Sequence, residues 1–273
     1  MTTKTKFAIS LAATSLLLAV GAGCTQLKAR DRVNKGVHAF KAAKYAEAVE
    51  HFQAATELDP TFDRARLYLA TAYYQQYIPG AESAENLEMA SKAKAEYNKV
   101  LEKDPKDALA LASVASLYFH QKKWDEAEQW NKRLIEADPK NKEGCYTLGV
   151  IAWTRSFSKR LEARAKLSMK PEDPGPIKDA KVREALRAEL LPVLDSGLEQ
   201  LNKAVVIDPE YDDAMVYLNL LHRERADLQN DVAEYKKDFA AAETWVEKAM
   251  EIKKIKQERA AKAQPGGIVQ DTK

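Results

Sequence analysis

The chain has 273 residues, 45% apolar and 31% charged, with only 10 glycines and 10 prolines. This composition is typical of a globular protein built from long regular elements with few turns. Basic and acidic side chains number 43 and 41, so the basic excess that nucleic-acid binders use to displace counterions is missing, and we expect no nucleic-acid partner. Recurrent alanine, leucine, glutamate and lysine favour helices.

The first 23 residues predict a signal peptide. A short basic start is followed by the apolar run FAISLAATSLLLAV, residues 7–20. This run of 14 residues is shorter than the roughly 20 that a membrane-spanning helix needs. Small residues at 21–23 then precede Cys24, and this order is typical of a secretory signal peptide.

The small residues before Cys24 resemble the lipobox of bacterial lipoproteins. The resemblance implies that Cys24 is acylated, that residues 24–28 form a lipidated tether, and that the protein faces the periplasm. Thr25 stands where inner-membrane lipoproteins carry Asp, which implies an outer-membrane anchor in the cell envelope. Gly21 departs from the family's usual Leu, so ordinary cleavage after Ala22, giving a soluble periplasmic protein, stays open as the alternative.

Asp-Pro pairs that recur along the chain indicate an internal repeat. The tripeptides LDP, KDP, ADP and IDP end at Pro60, Pro105, Pro139 and Pro209, and 34 residues separate Pro105 from Pro139. That spacing is the period of the tetratricopeptide repeat, and two units match its pattern of small and aromatic residues. The matching residues are Gly36, Tyr45, Ala48, Phe52 and Ala55 in the first unit and Ala115, Tyr118, Trp124 and Ala127 in the third.

The chain is thus identified as resembling the tetratricopeptide-repeat family. The resemblance implies an all-α fold, a right-handed superhelix of about five helix-turn-helix repeats over residues 29–258, followed by a flexible tail over 259–273. In each repeat we name the first helix A and the second B. Small residues such as Gly36 are expected to let the two helices approach closely, and the Asp-Pro pair is expected to separate repeats.

Two insertions interrupt the repeats, at residues 77–87 and 154–191. Apolar spacing through Trp153, Phe157 and Leu161 predicts that the second insertion lengthens the fourth A helix. After the break at PEDPGP, residues 171–176, a second helical pattern predicts an antiparallel arm that protrudes roughly 20 Å, with a kink at Pro192.

The A helices of the family line a groove, and an aromatic row along it would suit a peptide or helix of a partner. We therefore expect envelope proteins as partners, bound through peptide or helix segments, besides the membrane bound through the lipid anchor. Two alternatives stay open: the aromatic rings pack the A helices together, or the protein is a binding module for a small ligand or glycan. The family's groove positions are occupied by Val37, Phe40, Lys41, Leu67, Tyr74, Gln75, Phe119, His120, Val150 and Trp153.

The predicted arm carries a basic face. A solvated surface is one interpretation, and a contact with an acidic partner or a lipid headgroup is the other. The face comprises Arg155, Lys159, Arg160, Arg164, Lys166 and Lys170.

Signatures of enzymes are missing from the sequence. It has no glycine-rich phosphate loop, no paired-cysteine motif and no histidine pair at metal-ligand spacing, so we predict no catalysis, no cofactor and no metal. Glu143, Asp213 and Glu224 are the carboxylates that could gather at one end of the groove. Cys145 is expected to be a buried, inert thiol on a helix.

Overall fold

The computed structural model describes residues 24–170 and 173–263, and in these ranges it contains ten α-helices and no strand. The predicted signal peptide and the last ten residues of the predicted tail lie outside the described residues. The helices are α1 over residues 24–41, α2 Tyr45–Leu58, α3 Asp63–Gln76, α4 Ala84–Lys103, α5 Ala108–His120, α6 Trp124–Ala137, α7 Lys142–Lys166, α8 Ala180–Ile207, α9 Asp212–Ala226 and α10 Val232–Ala263. They form five successive A–B pairs, which confirms the predicted all-α repeat fold.

The Asp-Pro pairs separate one repeat from the next as predicted. The B helices α2, α4 and α8 end in front of Asp59, Asp104 and Asp208, and each of these residues has extended backbone angles. A proline restricts the residue before it to such angles, and it has no N–H to continue a helical ladder. The chain therefore turns at the same place in these three repeats.

The chain divides into two compact units, Met1–Trp130 and Asn131–Lys273. In the first unit α1, α2 and α3 share a core that includes Val33, Phe52 and Leu69. Gly36 lies against the Phe52 ring so closely that an added Cβ would be 2.5 Å from the ring edge. The close approach of A and B helices predicted from Gly36 is therefore confirmed.

The core of the second unit joins α7, α8 and α9 through Ala152, Leu201 and Leu218. Two glycines allow this packing: a Cβ on Gly149 would lie 2.3 Å from Leu201, and one on Gly197 would lie 2.6 Å from Ala152. Cys145 is buried in the same core and is a free thiol, in agreement with its predicted role.

The first insertion is a short loop followed by a longer B helix. Ser83 accepts a hydrogen bond from the backbone N–H of Asn86 and so caps the N-terminus of α4. The buried Asn86 side chain accepts from the N–H of Ile78 and donates to the carbonyls of Ile78 and Ala81. One side chain thus satisfies the polar backbone of the loop.

The second insertion lengthens α7 and α8, which pack together as predicted, but it is not a free arm. The segment between the two helices is held to the end of α9, where the N–H of Ile177 donates to the carbonyl of Asp227 at 3.0 Å. The Ile177 side chain is fully buried. A protruding arm is therefore not observed. α8 continues through Pro192 as one helix.

Residues 24–28, predicted as a tether, belong to helix α1 in the structure. Cys24 is exposed and its thiol is free. Over the described residues, no helix combines the length and the hydropathy that crossing a bilayer would require.

Candidate functional site

The predicted groove residues of the first unit lie on α1, α3 and α5. Lys41 and Gln75 are exposed, and the remaining members are half-buried, so each leaves part of its surface in contact with solvent. These half-buried residues are Val37, Phe40, Leu67, Tyr74, Phe119 and His120.

The aromatic members of this face also contact their neighbours. The Phe40 ring packs edge-on against Tyr45 with the centroids 5.2 Å apart. The Tyr74 hydroxyl lies 2.8 Å from the Ser116 hydroxyl and so connects α3 to α5. Phe119 packs edge-on against Trp124 at 5.4 Å. These rings therefore pack the helices and at the same time offer partly open apolar surface.

His120 lies at the end of the same face. Its Nδ1 atom is buried and has no hydrogen-bond partner within the described residues. Burial lowers the pKa of this imidazole because the charged form loses hydration. His120 is consequently a neutral, half-buried ring at neutral pH.

In the second unit, five aromatic rings from α7, from α9 and from Tyr211 directly before α9 contact each other in succession, and we call them the aromatic ladder. Its centroid separations are 5.2 Å from Tyr211 to Tyr146, 5.5 Å from Tyr146 to Tyr217, 5.7 Å from Tyr217 to Trp153 and 4.9 Å from Trp153 to Phe157. Trp153 is half-buried, and its Nε1 donor is buried without a partner among the described residues. Val150, the other predicted groove residue of this unit, is buried.

Sequence reasoning found Trp153 and missed the three tyrosines of the ladder. Tyr146 lies seven residues before Trp153, two turns away on the same face of α7. The spacing of seven residues on one helix indicates that Tyr146 and Trp153 share a face, so Tyr146 could have been predicted from the sequence. Tyr211 and Tyr217 lie more than 50 residues further along the chain, and only the packing of α9 on α7 brings them to the ladder.

Two exposed carboxylates lie at the Tyr211 end of the ladder. The Tyr211 hydroxyl donates to Glu143 at 2.6 Å. Burial and this carboxylate both raise the pKa of Tyr211, and burial followed by the charge of Asp213 raises that of Tyr217. The tyrosines are therefore neutral rings beside the negative charges of Glu143 and Asp213.

The predicted basic face of the second insertion is wrong for two of its members. Arg164 is 1% exposed, and Arg160 is also largely buried. Arg160 pairs with Glu224 at 2.6 Å and with Asp227 at 2.8 Å, and Arg164 pairs with Asp227 at 2.9 Å. These arginines face the end of α9 because a buried guanidinium must be compensated by carboxylates and carbonyls.

The remaining members of that face lie elsewhere on the insertion. Lys166 pairs with Glu162 one turn earlier on α7 at 2.7 Å, and Lys159 pairs with Glu189 of α8. Lys170 is exposed and Arg155 is half-buried. The described part of the insertion thus carries mixed ion pairs instead of one basic face.

The three carboxylates considered for catalysis do not form one group, because Glu143 and Asp213 lie at the Tyr211 end of the ladder and Glu224 is buried elsewhere against Arg160. Glu143 accepts from Tyr211, Asp213 is exposed, and Glu224 is buried against Arg160. Burial raises the pKa of Glu224 to about 6, and the positive charge of Arg160 opposes the shift. Across the described residues, no group of three histidine, cysteine or acidic side chains is placed to hold a metal ion.

Comparison with known proteins supports the repeat assignment. The tetratricopeptide repeat family model matches residues 33–84 and 78–142. No curated protein matches the chain. A solved structure of MamA is 15% identical with a TM-score of 0.54, covering 88% of this chain and 98% of that chain. MamA from Desulfovibrio magneticus RS-1 is 17% identical with a TM-score of 0.54, covering 83% and 96%.

A third structure, YrrB, is described as a tetratricopeptide-repeat protein with an unusual peptide-binding site. It is 15% identical with a TM-score of 0.51, covering 81% of this chain and 84% of that chain. The paired helices, their Asp-Pro boundaries and these similarities define a helical-repeat protein, a class that uses extended surfaces for binding other proteins. More particularly, residues 33–84 and 78–142 match the tetratricopeptide repeat model, and the helix pairs of the described residues have the fold of the solved tetratricopeptide-repeat structures.

Proposed function

We propose that this protein is a membrane-anchored interaction scaffold of the bacterial cell envelope. In this proposal Cys24 carries the lipid anchor in the outer membrane, the repeats face the periplasm, and the A helices bind a peptide or helix of an envelope protein. The function is binding and not catalysis.

The observation that carries the proposal is a half-buried aromatic ring at the same repeat position on A helices of each unit. Phe40, Tyr74, Phe119 and Trp153 occupy the same position in four successive A helices, and all four are half-buried. Aromatic side chains bury a large area at a small cost in conformational entropy, which makes them the usual anchors of protein interfaces. A ring that is held by its neighbours and still partly open loses little further freedom when a partner covers it.

The anchoring part of the proposal rests on the sequence before the first helix. The apolar run of residues 7–20 ends in small residues directly before Cys24, and Cys24 itself is exposed with a free thiol. A diacylglyceryl-bearing cysteine with an added amide-linked chain holds a protein to a bilayer more firmly than one acyl chain does. The first repeat would then lie close to the membrane surface.

Affinity capture from detergent-solubilised envelopes tests the partner. The full chain is compared with Tyr74→Ala/Phe119→Ala, with Trp153→Ala, and with a matched control, Tyr235→Ala/Phe239→Ala. The control removes two aromatic rings from the B helix α10, Tyr235 and Phe239, which stack on each other with their centroids 5.9 Å apart. Circular dichroism establishes that each variant is folded.

We expect a partner that the wild type and the α10 control capture and that the A-helix variants lose. Equal capture by all four proteins would contradict binding on the A helices. A partner lost only in the α10 control would contradict it as well. A chain that binds no protein in any form would favour a module for a small ligand or glycan.

Phase separation tests the anchor independently. The wild type is expected in the detergent phase and Cys24→Ser in the aqueous phase. A wild-type chain found in the aqueous phase would contradict acylation and leave cleavage after Ala22 as the explanation.

A further inference from the structure

We infer that the aromatic ladder, together with Glu143 and Asp213, binds a lysine or arginine side chain of the partner segment. This inference deepens the proposed function and rests on it, because it gives the chemistry of the segment that the A helices of the second unit bind. The class of ligand is a basic peptide.

The residues of this surface share one side of two neighbouring helices. On α7 the positions 143, 146, 150, 153 and 157 repeat every three or four residues, which places them on one face. On α9 the same side carries Asp213, Val216 and Tyr217, and Val216 is 44% exposed. The ring contacts of Tyr217 with Tyr146 and Trp153 join the two faces into one surface.

The carboxylates on this surface are not held in ion pairs, although Lys142, which pairs with Asp208, also lies over the Tyr211 ring beside Glu143. Within the described residues, neither Glu143 nor Asp213 forms an ion pair, although Glu143 accepts a hydrogen bond from Tyr211. The other acidic groups around the same helices are paired: Asp208 with Lys142, and Glu224 and Asp227 with arginines. Negative charge at the Tyr211 end of the ladder is therefore available to a ligand.

The rings themselves attract cations. The face of an aromatic ring is electrostatically negative, and a cation within about 6 Å of the centroid is bound more strongly when water is excluded. Both ends of the ladder already show this contact, since Lys142 Nζ lies 4.7 Å from the Tyr211 centroid and the Arg160 guanidinium lies 5.7 Å from that of Phe157.

The middle of the ladder is where a ligand cation fits. In the described part of the chain, no cationic side chain lies over Tyr146, Tyr217 or Trp153. These three rings are half-buried, and the free carboxylate of Asp213 lies four residues before Tyr217, one turn away on α9. A lysine or arginine would contact an aromatic ring and a carboxylate at once. An acidic side chain would be repelled by both.

A calorimetric titration of the full chain in detergent micelles tests this inference. The probe is an N-acetylated, C-amidated hexalysine peptide, and hexaglutamate with the same ends is the control ligand. Low ionic strength keeps the electrostatic contribution measurable, because salt screens exposed charges over about 10 Å at 0.1 M. We expect hexalysine to bind and hexaglutamate not to bind.

The charge variants are matched. Glu143→Gln/Asp213→Asn removes two negative charges from the surface, and Glu251→Gln/Glu258→Gln removes two from exposed positions on α10. Both variants have the same net charge, so only position distinguishes them. We expect the first to weaken hexalysine binding about tenfold and the second to weaken it less than twofold. Equal effects, or no binding of hexalysine to the wild type, would overturn the inference.

The ring requirement has its own pair of variants. Tyr217→Phe keeps the ring and is expected to bind hexalysine as the wild type does, whereas Tyr217→Leu removes the ring and is expected to bind at least fivefold more weakly. If Tyr217→Leu binds hexalysine like the wild type, the ring plays no part and the inference fails.

Failure of this inference is distinguishable from failure of the proposed function. A captured envelope partner that Trp153→Ala loses and that Glu143→Gln/Asp213→Asn retains at full strength would support the A-helix binding surface and refute a basic occupant. A partner retained by Trp153→Ala would refute the involvement of the ladder itself.

Discussion

Replacing Arg164 by methionine is expected to destabilise the second unit more than any exposed substitution on the same helix. The Arg164 guanidinium donates to Asp227 Oδ1 at 2.9 Å and to the carbonyls of Lys170 and Asp173 at 2.8 and 2.6 Å. It therefore connects α7, the segment after α7 and the end of α9. Methionine fills much of the same space and makes none of these bonds.

The size of this loss in stability follows from the buried charge of Asp227, which loses one of its partners. Removing one partner of a buried ion pair costs about 3–5 kcal/mol because the other charge stays buried. Asp227 keeps Arg160, whose Nη1 lies 2.8 Å from its Oδ2, so we expect the lower end, about 3 kcal/mol. The carbonyls of Lys170 and Asp173 lie near the surface, where water replaces part of the lost bonding.

Urea unfolding followed by circular dichroism measures this loss, and amide hydrogen exchange over residues 167–179 locates it. The matched control is Lys166→Met, which breaks an exposed one-turn pair with Glu162 and should cost at most about 0.5 kcal/mol. The double variant Arg164→Met/Asp227→Asn should recover part of the stability, since it removes the buried charge that lost Arg164 while the amide oxygen can still accept from Arg160. If Arg164→Met costs no more than Lys166→Met, the assignment of Arg164 as the connection is refuted.

Three further predictions, at Gly36, Trp153 and Asp238, test other parts of the structure. Gly36→Ala is expected to lower the free energy of unfolding in urea by about 1–3 kcal/mol, because the new methyl group would meet the Phe52 ring, although alanine favours helix. Adding Phe52→Leu should recover part of this free energy. The free energy of unfolding of Trp153→Phe should stay within about 1 kcal/mol of the wild type, because the substitution removes a buried donor that has no partner among the described residues. Trp153→Ala should lower it by about 3–5 kcal/mol. Equal losses in the two variants would contradict this expectation. Burial opposes ionisation of Asp238, but hydrogen bonds from neighbouring side chains lower its pKa from 3.8 to about 2. The lowered pKa stabilises the fold by about 2 kcal/mol above pH 4, and this contribution is lost as the pH falls through 2. The difference in unfolding free energy between the wild type and Asp238→Asn, measured in urea, should therefore shrink between pH 4 and pH 2.

The repeat fold could be predicted from the sequence because its determinants are local. Asp-Pro pairs fix the ends of helices through the backbone of two adjacent residues, and Gly36 and Phe52 belong to neighbouring helices of one repeat. The apolar spacing within one helix likewise predicts the extension of α7 past Trp153.

The docking of the second insertion could not be predicted in the same way. Arg160 and Arg164 look like a solvated basic stripe on α7, because their partners Glu224 and Asp227 lie more than 60 residues later. A run of charges has no periodicity that identifies a buried member. The aromatic row was predicted on the A helices, while the ladder around Trp153 needed the packing of α9 on α7.

The buried arginines and the aromatic ladder both connect α7 to the α9 region, so the ion pairs help to fix the positions of the rings. Tyr217 and Trp153 are positioned by contacts between α7 and α9, and the pairing of Arg160 with Glu224 connects these helices again, further along both. A surface whose helices are fixed at more than one level loses little conformational freedom when a ligand arrives, so more of the contact energy remains as affinity. Arg160→Lys keeps the positive charge beside Phe157 but cannot reproduce the paired bonding of the guanidinium to Glu224 and Asp227. It should therefore weaken hexalysine binding although it changes no central ring of the ladder. Unchanged binding in a variant that is destabilised would show that the ladder does not depend on the ion pairs for its geometry.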